Sequence, residues 1–333
     1  MKIVMRRRYV LAAVALVGIT AFSFVSLMMT QQPEQHLEQR KSHWPILIDG
    51  DSGLTSSQGV ATGSGTLADP YIMEGWHIDA GAGAGCVAIR IENTSAHLLV
   101  RNVEIHGNRV CDGIVLIETR NVAIEEVIVL ESGQGIALIG SSAVSAADNV
   151  IERCAEGIVG LRSKRLILQN NTIRSGTQGI VIEESSQIFL LGNRVTIAGA
   201  NGLILKRSEN TTVQHNIITG IANRAIVLLN SSGAIITENA FDGANEQCVY
   251  LLSAEHNLLA DNVIGRCAWD GISLLRSRSN LLTRNNVSAS GEAAIGLTDS
   301  SNNTVLSNAV QDSARGIIPV SYTHLTLPTN REV

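Results

Sequence analysis

Four side chains able to do acid–base or ligand chemistry, His215, Glu238, Asp261 and Arg284, recur at one constant interval in the sequence. Stacked in one column, adjacent carboxylates beside an imidazole would bind a metal ion or divide acid and base roles. A second series, Asp112, Gln134, Glu156, Gln178 and Asn201, recurs at nearly the same interval. Stacking would set Asp112 and Glu156 about 10 Å apart, two strand spacings, near the separation of an inverting glycosidase pair. The intervening amides suit hydrogen bonding to sugar hydroxyls at least as well. A plainer reading stands beside both, because turn positions are polar for conformational reasons alone.

These columns exist only if the interval is structural, and the apolar residues carry the same period. A small residue followed by an aliphatic recurs from Ala88-Ile89 through Gly113-Ile114, Gly135-Ile136 and Gly157-Ile158 to Gly316-Ile317, with steps of 22 or 23 after a first step of 25. Two residues on, the chain is apolar again in Ile91, Leu116, Leu138, Ile182, Leu205 and Leu228, with Gly160 interrupting. That alternation marks a strand with one buried face. Further apolar columns, Leu99 to Val305 and Val129 to Val310, predict a second and a third strand per repeat. Between these two, Asn recurs at Asn102, Asn149, Asn171, Asn193, Asn216, Asn239, Asn262, Asn285 and Asn308, with Val127 the one departure. Ser or Thr recurs after the first strand, from Thr94 and Thr119 to Ser300. Asn tolerates the left-handed backbone of a tight corner, and stacked amides bond to one another about 4.8 Å apart, so both series read as structural ladders. The expected fold is an all-β, single-stranded parallel β-helix solenoid of about ten rungs with three strands each.

The composition agrees. Hydrophobic residues make up 45% but aromatics only 3%, so the core is Ile, Val, Leu and Ala, which pack well on pleated strands. A formal net charge of -5 excludes the basic surface that DNA or RNA binding needs. Met1 to Arg8 is basic and residues 9–29 are uncharged, so 1–29 reads as a signal peptide or signal anchor. The anchor is favoured because Ala21-Phe22-Ser23 is a poor cleavage site. The three arginines place the body of the chain outside the cytoplasm, on the cell surface, in the periplasm or secreted. Residues 30–43 are then a polar linker, 44–87 an amino-terminal cap and 88–318 the repeats. Residues 319–333 break the pattern at Pro319, and the stretch from Val320 resembles a translated sequencing adapter, so a non-native tail and a missing carboxyl-terminal cap are expected.

The Gly-Ile starts and Asn corners between Ala88 and Val310 resemble the right-handed parallel β-helix of the pectate-lyase-like superfamily, and within it the NosD-like domain. The stretch from Gly63 to Trp76 resembles the strand leading into such helices. The resemblance implies a right-handed solenoid. Lyases of this kind hold Ca²⁺ on acidic residues clustered on an outer sheet, yet the outward column of the first strand reads Arg90, Val115, Ala137, Val159, Val181, Ile204, Val227, Tyr250 and Ser273. Ca²⁺ is therefore expected only if the protein is a lyase, and no other cofactor is expected. A copper role, which the NosD likeness implies, needs soft or imidazole ligands in clusters, and His77, His97, His106, His215 and His256 share no column. Cys86 and Cys111 share a column on adjacent rungs and are expected to form a disulfide, with Cys154, Cys248 and Cys267 unpaired. The favoured reading is a non-enzymatic solenoid that binds polysaccharide or packs with other envelope components. A polysaccharide lyase, hydrolase or epimerase is the alternative, and an accessory factor for metalloenzyme maturation the third.

Overall fold

The computed structural model describes residues 40–82, 85–197 and 199–320. The segment 9–29 and residues 321–333 lie outside them. Among the described residues no helix is long and apolar enough to cross a membrane.

The chain winds as a right-handed solenoid of three 12-stranded sheets, each strand pairing with the equivalent strand of the rungs before and after it. One rung shows why. Gln134–Ile139 turns Ile136 and Leu138 inward, Ser142–Ala147 turns Val144 and Ala146 inward, and Val150–Glu152 turns Ile151 inward, all of them buried. The next rung stacks like on like, Ile136 opposite Ile158, Val144 opposite Leu166 and Ile151 opposite Ile173. A single core of aliphatic columns therefore runs the length of the molecule. Pairing is parallel throughout except where Val60–Thr62 closes the end of the second sheet antiparallel to Tyr71–Glu74.

Most corners after the first and second strands are one left-handed residue followed by one inward polar residue. After the first strand these are Gly140 (φ 61°) and Ser141; after the second, Asp148 (φ 56°) and Asn149. The Asn149 side-chain oxygen accepts the Val127 backbone N–H at 2.9 Å, and its amide donates to Asn171 Oδ1 at 2.9 Å and to the Ile124 carbonyl at 3.0 Å. Asn171, Asn193, Asn216, Asn239 and Asn262 repeat the arrangement from rung to rung. The ladder satisfies corner groups that the strands cannot reach.

Several details depart from the sequence reading. Asn102 is not in the ladder: it has φ 49° and stands in the left-handed column with Glu126 and Asp148, while Val103 takes the ladder position. The cause is register, since Val100 rather than Leu99 pairs with Ile124. A second amide ladder, Asn257, Asn280 and Asn303, replaces the first apolar position of the second strand in the later rungs. Lys41–His43, assigned to the linker, is a strand paired with Trp76–Asp79, so regular pairing begins before the expected cap. At the other end Arg315–Val320 is a strand with Pro319 opposite Leu297, so pairing runs past the expected break; a terminal strand tolerates the missing Pro N–H.

Cys86 and Cys111 form a disulfide across adjacent rungs, with Cα atoms 4.4 Å apart. Cys248 and Cys267 form another, which corrects their assignment as unpaired. Their separation of 19 residues is less than one rung, because the bond joins the start of a first strand to the end of the third strand of the same turn. Cys154 is free and buried. Closing loops of this length is worth about 3 kcal/mol each in the chain-entropy account. The Cys86→Ala, Cys111→Ala double variant is expected to lose about that much in urea denaturation, and a loss under about 1 kcal/mol would show that the rungs hold that loop closed without the bond.

Candidate functional site

The column His215, Glu238, Asp261, Arg284 is assembled as expected, but each member is the left-handed corner residue that precedes a ladder Asn, with φ between 54° and 59°. All four are exposed and consumed in pairs: His215 Nε2 lies 3.0 Å from Glu238, and Arg284 binds Asp261 at 2.6 and 2.8 Å. The hydrogen bond from Arg284, helped by its charge, holds the Asp261 carboxyl below the usual carboxylate range despite slight desolvation. A carboxylate so stabilised is a poor general base at neutral pH.

The series Asp112, Gln134, Glu156, Gln178 and Asn201 lies along the edge where the third sheet turns into the first. Asp112 Oδ1 accepts the Gln134 backbone N–H at 2.8 Å, and the Gln134 side-chain amide donates to Glu156 at 2.7 Å, so each acid is bonded to a different group of the intervening Gln134. Among the described residues the side-chain amide oxygens of Gln178 and Asn201 have no partner. Beyond them Arg224 binds Gln247 and Glu246 and stacks 4.6 Å over Tyr250. On the adjoining outer face Val115, Ala137 and Val227 are buried by their own neighbours.

The described residues contain a cleft of about 330 Å³ at the corner between the first and second sheets, lined by Glu118, Arg120, Gly140, Ser141, Ser142, Arg162 and Lys164. Its form follows from the repeat. Arg120, Ser142 and Lys164 are register partners on three successive rungs, so a rung with small side chains is flanked by two with long ones. Gly140 deepens the cleft: it has φ 61°, and a Cβ there would sit 2.2 Å from Glu118 Oε1. Among the described residues Arg120, Arg162 and Lys164 make no ion pair, so three free cations face one carboxylate on a chain of net charge -5. Reading columns from the rung starts misses this corner, although Arg120, Ser142 and Lys164 are evenly spaced in the sequence.

A second cluster lies on the outer face of the third sheet. His77 and Asp79 project from one strand, Glu104 and His106 from the next, with His77 opposite Glu104 and Asp79 opposite His106. His106 Nε2 is 2.7 Å and His77 Nδ1 3.7 Å from Glu104 Oε1, and the three atoms lie within 4.8 Å of one another. This corrects the expectation that histidines do not cluster: they meet on a diagonal, not in a column. Arg40 holds the other oxygen, Glu104 Oε2, at 2.5 Å. Burial raises the Glu104 pKa, but the His106 hydrogen bond and the nearby positive charges outweigh it, and the carboxyl is held low.

The fold is shared by the A-module of a mannuronan C-5 epimerase of Azotobacter vinelandii (TM-score 0.67, 15% identity, 88% of this chain and 93% of that one). A surface adhesin of Streptococcus pneumoniae, PfbA, is also similar (0.62, 14%, 84% and 81%), as is a DFA-IIIase of Arthrobacter chlorophenolicus A6 (0.61, 16%, 71% and 74%). No curated protein matches the chain in sequence. A right handed beta helix region model matches residues 178–331, and the model described as periplasmic copper-binding protein (NosD) matches residues 77–248. Copper implied by that description is tested by the donors present. Met73 is buried in the core, four cysteines are in disulfides and Cys154 is buried, so soft donors do not cluster among the described residues. The imidazole–carboxylate set of His77, Glu104 and His106 fits copper as Cu²⁺, alongside other divalent ions of borderline softness such as Zn²⁺. The match over residues 77–248, more than half of the chain, makes this protein a member of the NosD family of right-handed β-helix proteins.

Proposed function

We propose that the protein binds an acidic polysaccharide outside the cytoplasm, seating an anionic sugar in the cleft between Arg120 and Lys164. The observation that carries this is the group of unpaired cations, Arg120, Arg162 and Lys164, around a floor of Gly140 and Ser142. Guanidinium groups bind carboxylates bidentately and the cleft volume is at the small end of ligand sites, enough for one sugar unit. Glu118 and the Ser142 hydroxyl supply partners for sugar hydroxyls. The periplasmic description of the family and the two disulfides, which form in oxidising compartments, support the location. The epimerase likeness supports the fold alone, and a binding role is favoured over turnover because the acids of both other columns are already paired.

The test is calorimetric titration of the full chain with polyuronate oligosaccharides and their carboxyl-reduced, neutral counterparts. The acidic ligand is expected to bind more tightly and to weaken with salt, since exposed charges are screened beyond about 8 Å at physiological ionic strength. Arg162→Ala with Lys164→Ala should reduce affinity by about tenfold or more, equivalent to two charge-assisted contacts at modest exposure. Equal binding of neutral ligands, or an unchanged double variant, overturns the assignment. Release of unsaturated uronate or new reducing ends would make the protein an enzyme.

A further inference from the structure

The geometry points to a binding site for a divalent transition-metal ion on the outer face of the third sheet, with His77 Nδ1, Glu104 Oε1 and His106 Nε2 as its ligands. It is independent of the carbohydrate reading and lies on a different face of the solenoid from the cleft.

Three features distinguish this cluster from a chance surface contact. The donors come from two parallel strands in fixed register, so their Cα positions are set by backbone pairing rather than by a flexible loop. The rings of His77 and His106 are 5.0 Å apart at their centroids and both address the same carboxylate oxygen. Arg40 occupies the opposite oxygen, which orients Glu104 and leaves Oε1 turned to the imidazoles. That is the arrangement of a ligand carboxylate held by an outer partner.

The distances are near those an ion requires. Ligands about 2.1 Å from one metal are about 3.4 Å apart in tetrahedral geometry. The His77–Glu104 separation of 3.7 Å already suits this, and the 2.7 Å His106–Glu104 hydrogen bond would open when the ion takes its place. Side-chain exposures of 42% for His77 and 46% for His106 leave both rings free to make that adjustment, and the remaining coordination positions face solvent. The Arg40 charge disfavours a cation but is neutralised by Glu104 itself.

The donor set also selects the ion. Two imidazoles and one carboxylate suit Cu²⁺, Zn²⁺ or Ni²⁺, with Cu²⁺ the tightest in the usual order of divalent ions. Ca²⁺ needs six to eight oxygens, and here Asp79, the adjacent carboxylate, already accepts the Gly81 backbone N–H at 2.9 Å.

The full chain, stripped with chelator, is titrated calorimetrically with Cu²⁺, Zn²⁺ and Ca²⁺, and the Cu²⁺ form is examined by electron paramagnetic resonance. One equivalent of Cu²⁺ and of Zn²⁺ should bind, with nitrogen couplings from two imidazoles and no saturable Ca²⁺ binding. His77→Ala and His106→Ala should each lower affinity at least about tenfold, since even outer partners cost that much, and each should remove one nitrogen coupling. His256→Ala, a histidine remote in sequence at a corner leading into the second sheet, should change neither. Because the mutated rings are exposed, circular dichroism should report an unaltered fold. Absence of saturable Cu²⁺ and Zn²⁺ binding, or binding that survives the His77→Ala, His106→Ala double variant, overturns the site.

Discussion

Replacing Asn193 by Ala is expected to destabilise the solenoid by about 3–5 kcal/mol, because each buried polar group left without a partner costs about 1–3 kcal/mol. Asn193 is buried in the middle of the ladder. Its Oδ1 accepts both the backbone N–H and the side-chain amide of Asn171, at 3.0 and 2.9 Å. Its own amide donates to the Leu168 carbonyl and to Asn216 Oδ1, at 2.8 and 2.9 Å. Truncation therefore orphans the Asn171 N–H and weakens the Leu168 carbonyl at a corner that water cannot reach. The effect should be local first, because each rung contacts only its neighbours. Hydrogen exchange at Asn171 should accelerate more than exchange two rungs away, alongside a fall in the urea midpoint. Asn308→Ala at the edge of the ladder is half-buried and should cost about 1 kcal/mol. Equal losses at the two positions would show that the amides act as corner formers one by one and not as a continuous network.

The ladder also shows what the sequence could and could not disclose. Wherever the period is regular, position in sequence is position in space, and the Gly-Ile starts, the Ser column and Asn149 through Asn308 are legible directly. Register slips before the repeat settles: Ile78 pairs with Ile105 and Val100 with Ile124, both longer steps in sequence than those of the later rungs. Asn102 is misplaced for that reason. His77, Glu104 and His106 lie in the same irregular region, and their meeting depends on a diagonal between two strands, which a search along columns cannot see. The Cys248–Cys267 pair escapes the same search because its bond closes within a turn. The cleft depends on contrast in size between neighbouring rungs, Ser142 and Gly140 beside Arg120 and Lys164, whereas attention to charge alone leads to the paired column at His215.

Gly157→Val is expected to cost about 3 kcal/mol, the upper part of the range for overpacking a dense core. The usual reason for a glycine, a left-handed backbone, does not apply, since the left-handed residues on either side are Arg153 and Arg162 and Gly157 is not among them. Space is the reason. A Cβ at Gly157 would sit 2.4 Å from the Gly179 carbonyl oxygen and 2.5 Å from Ile173 Cγ2. The same pairing of glycine with a branched side chain recurs at Gly135 with Ile151 and at Gly202 with Ile218. One rung further on, Ala225 is tolerated where the register partner of Ile218 is Phe241, which has no γ-methyl branch. The column thus records a close approach of the first strand to the β-branched third strand, and this approach lets the core fill with aliphatic residues, Phe241 being the buried aromatic exception among the described residues. The two contacts should therefore be coupled. Gly157→Ala alone should cost about 1–3 kcal/mol, and combination with Ile173→Leu, which moves the methyl off Cβ, should recover about 1 kcal/mol of it in a double-mutant cycle followed by urea denaturation. Strict additivity would place the strain in the Gly179 carbonyl contact, which no change at Ile173 relieves.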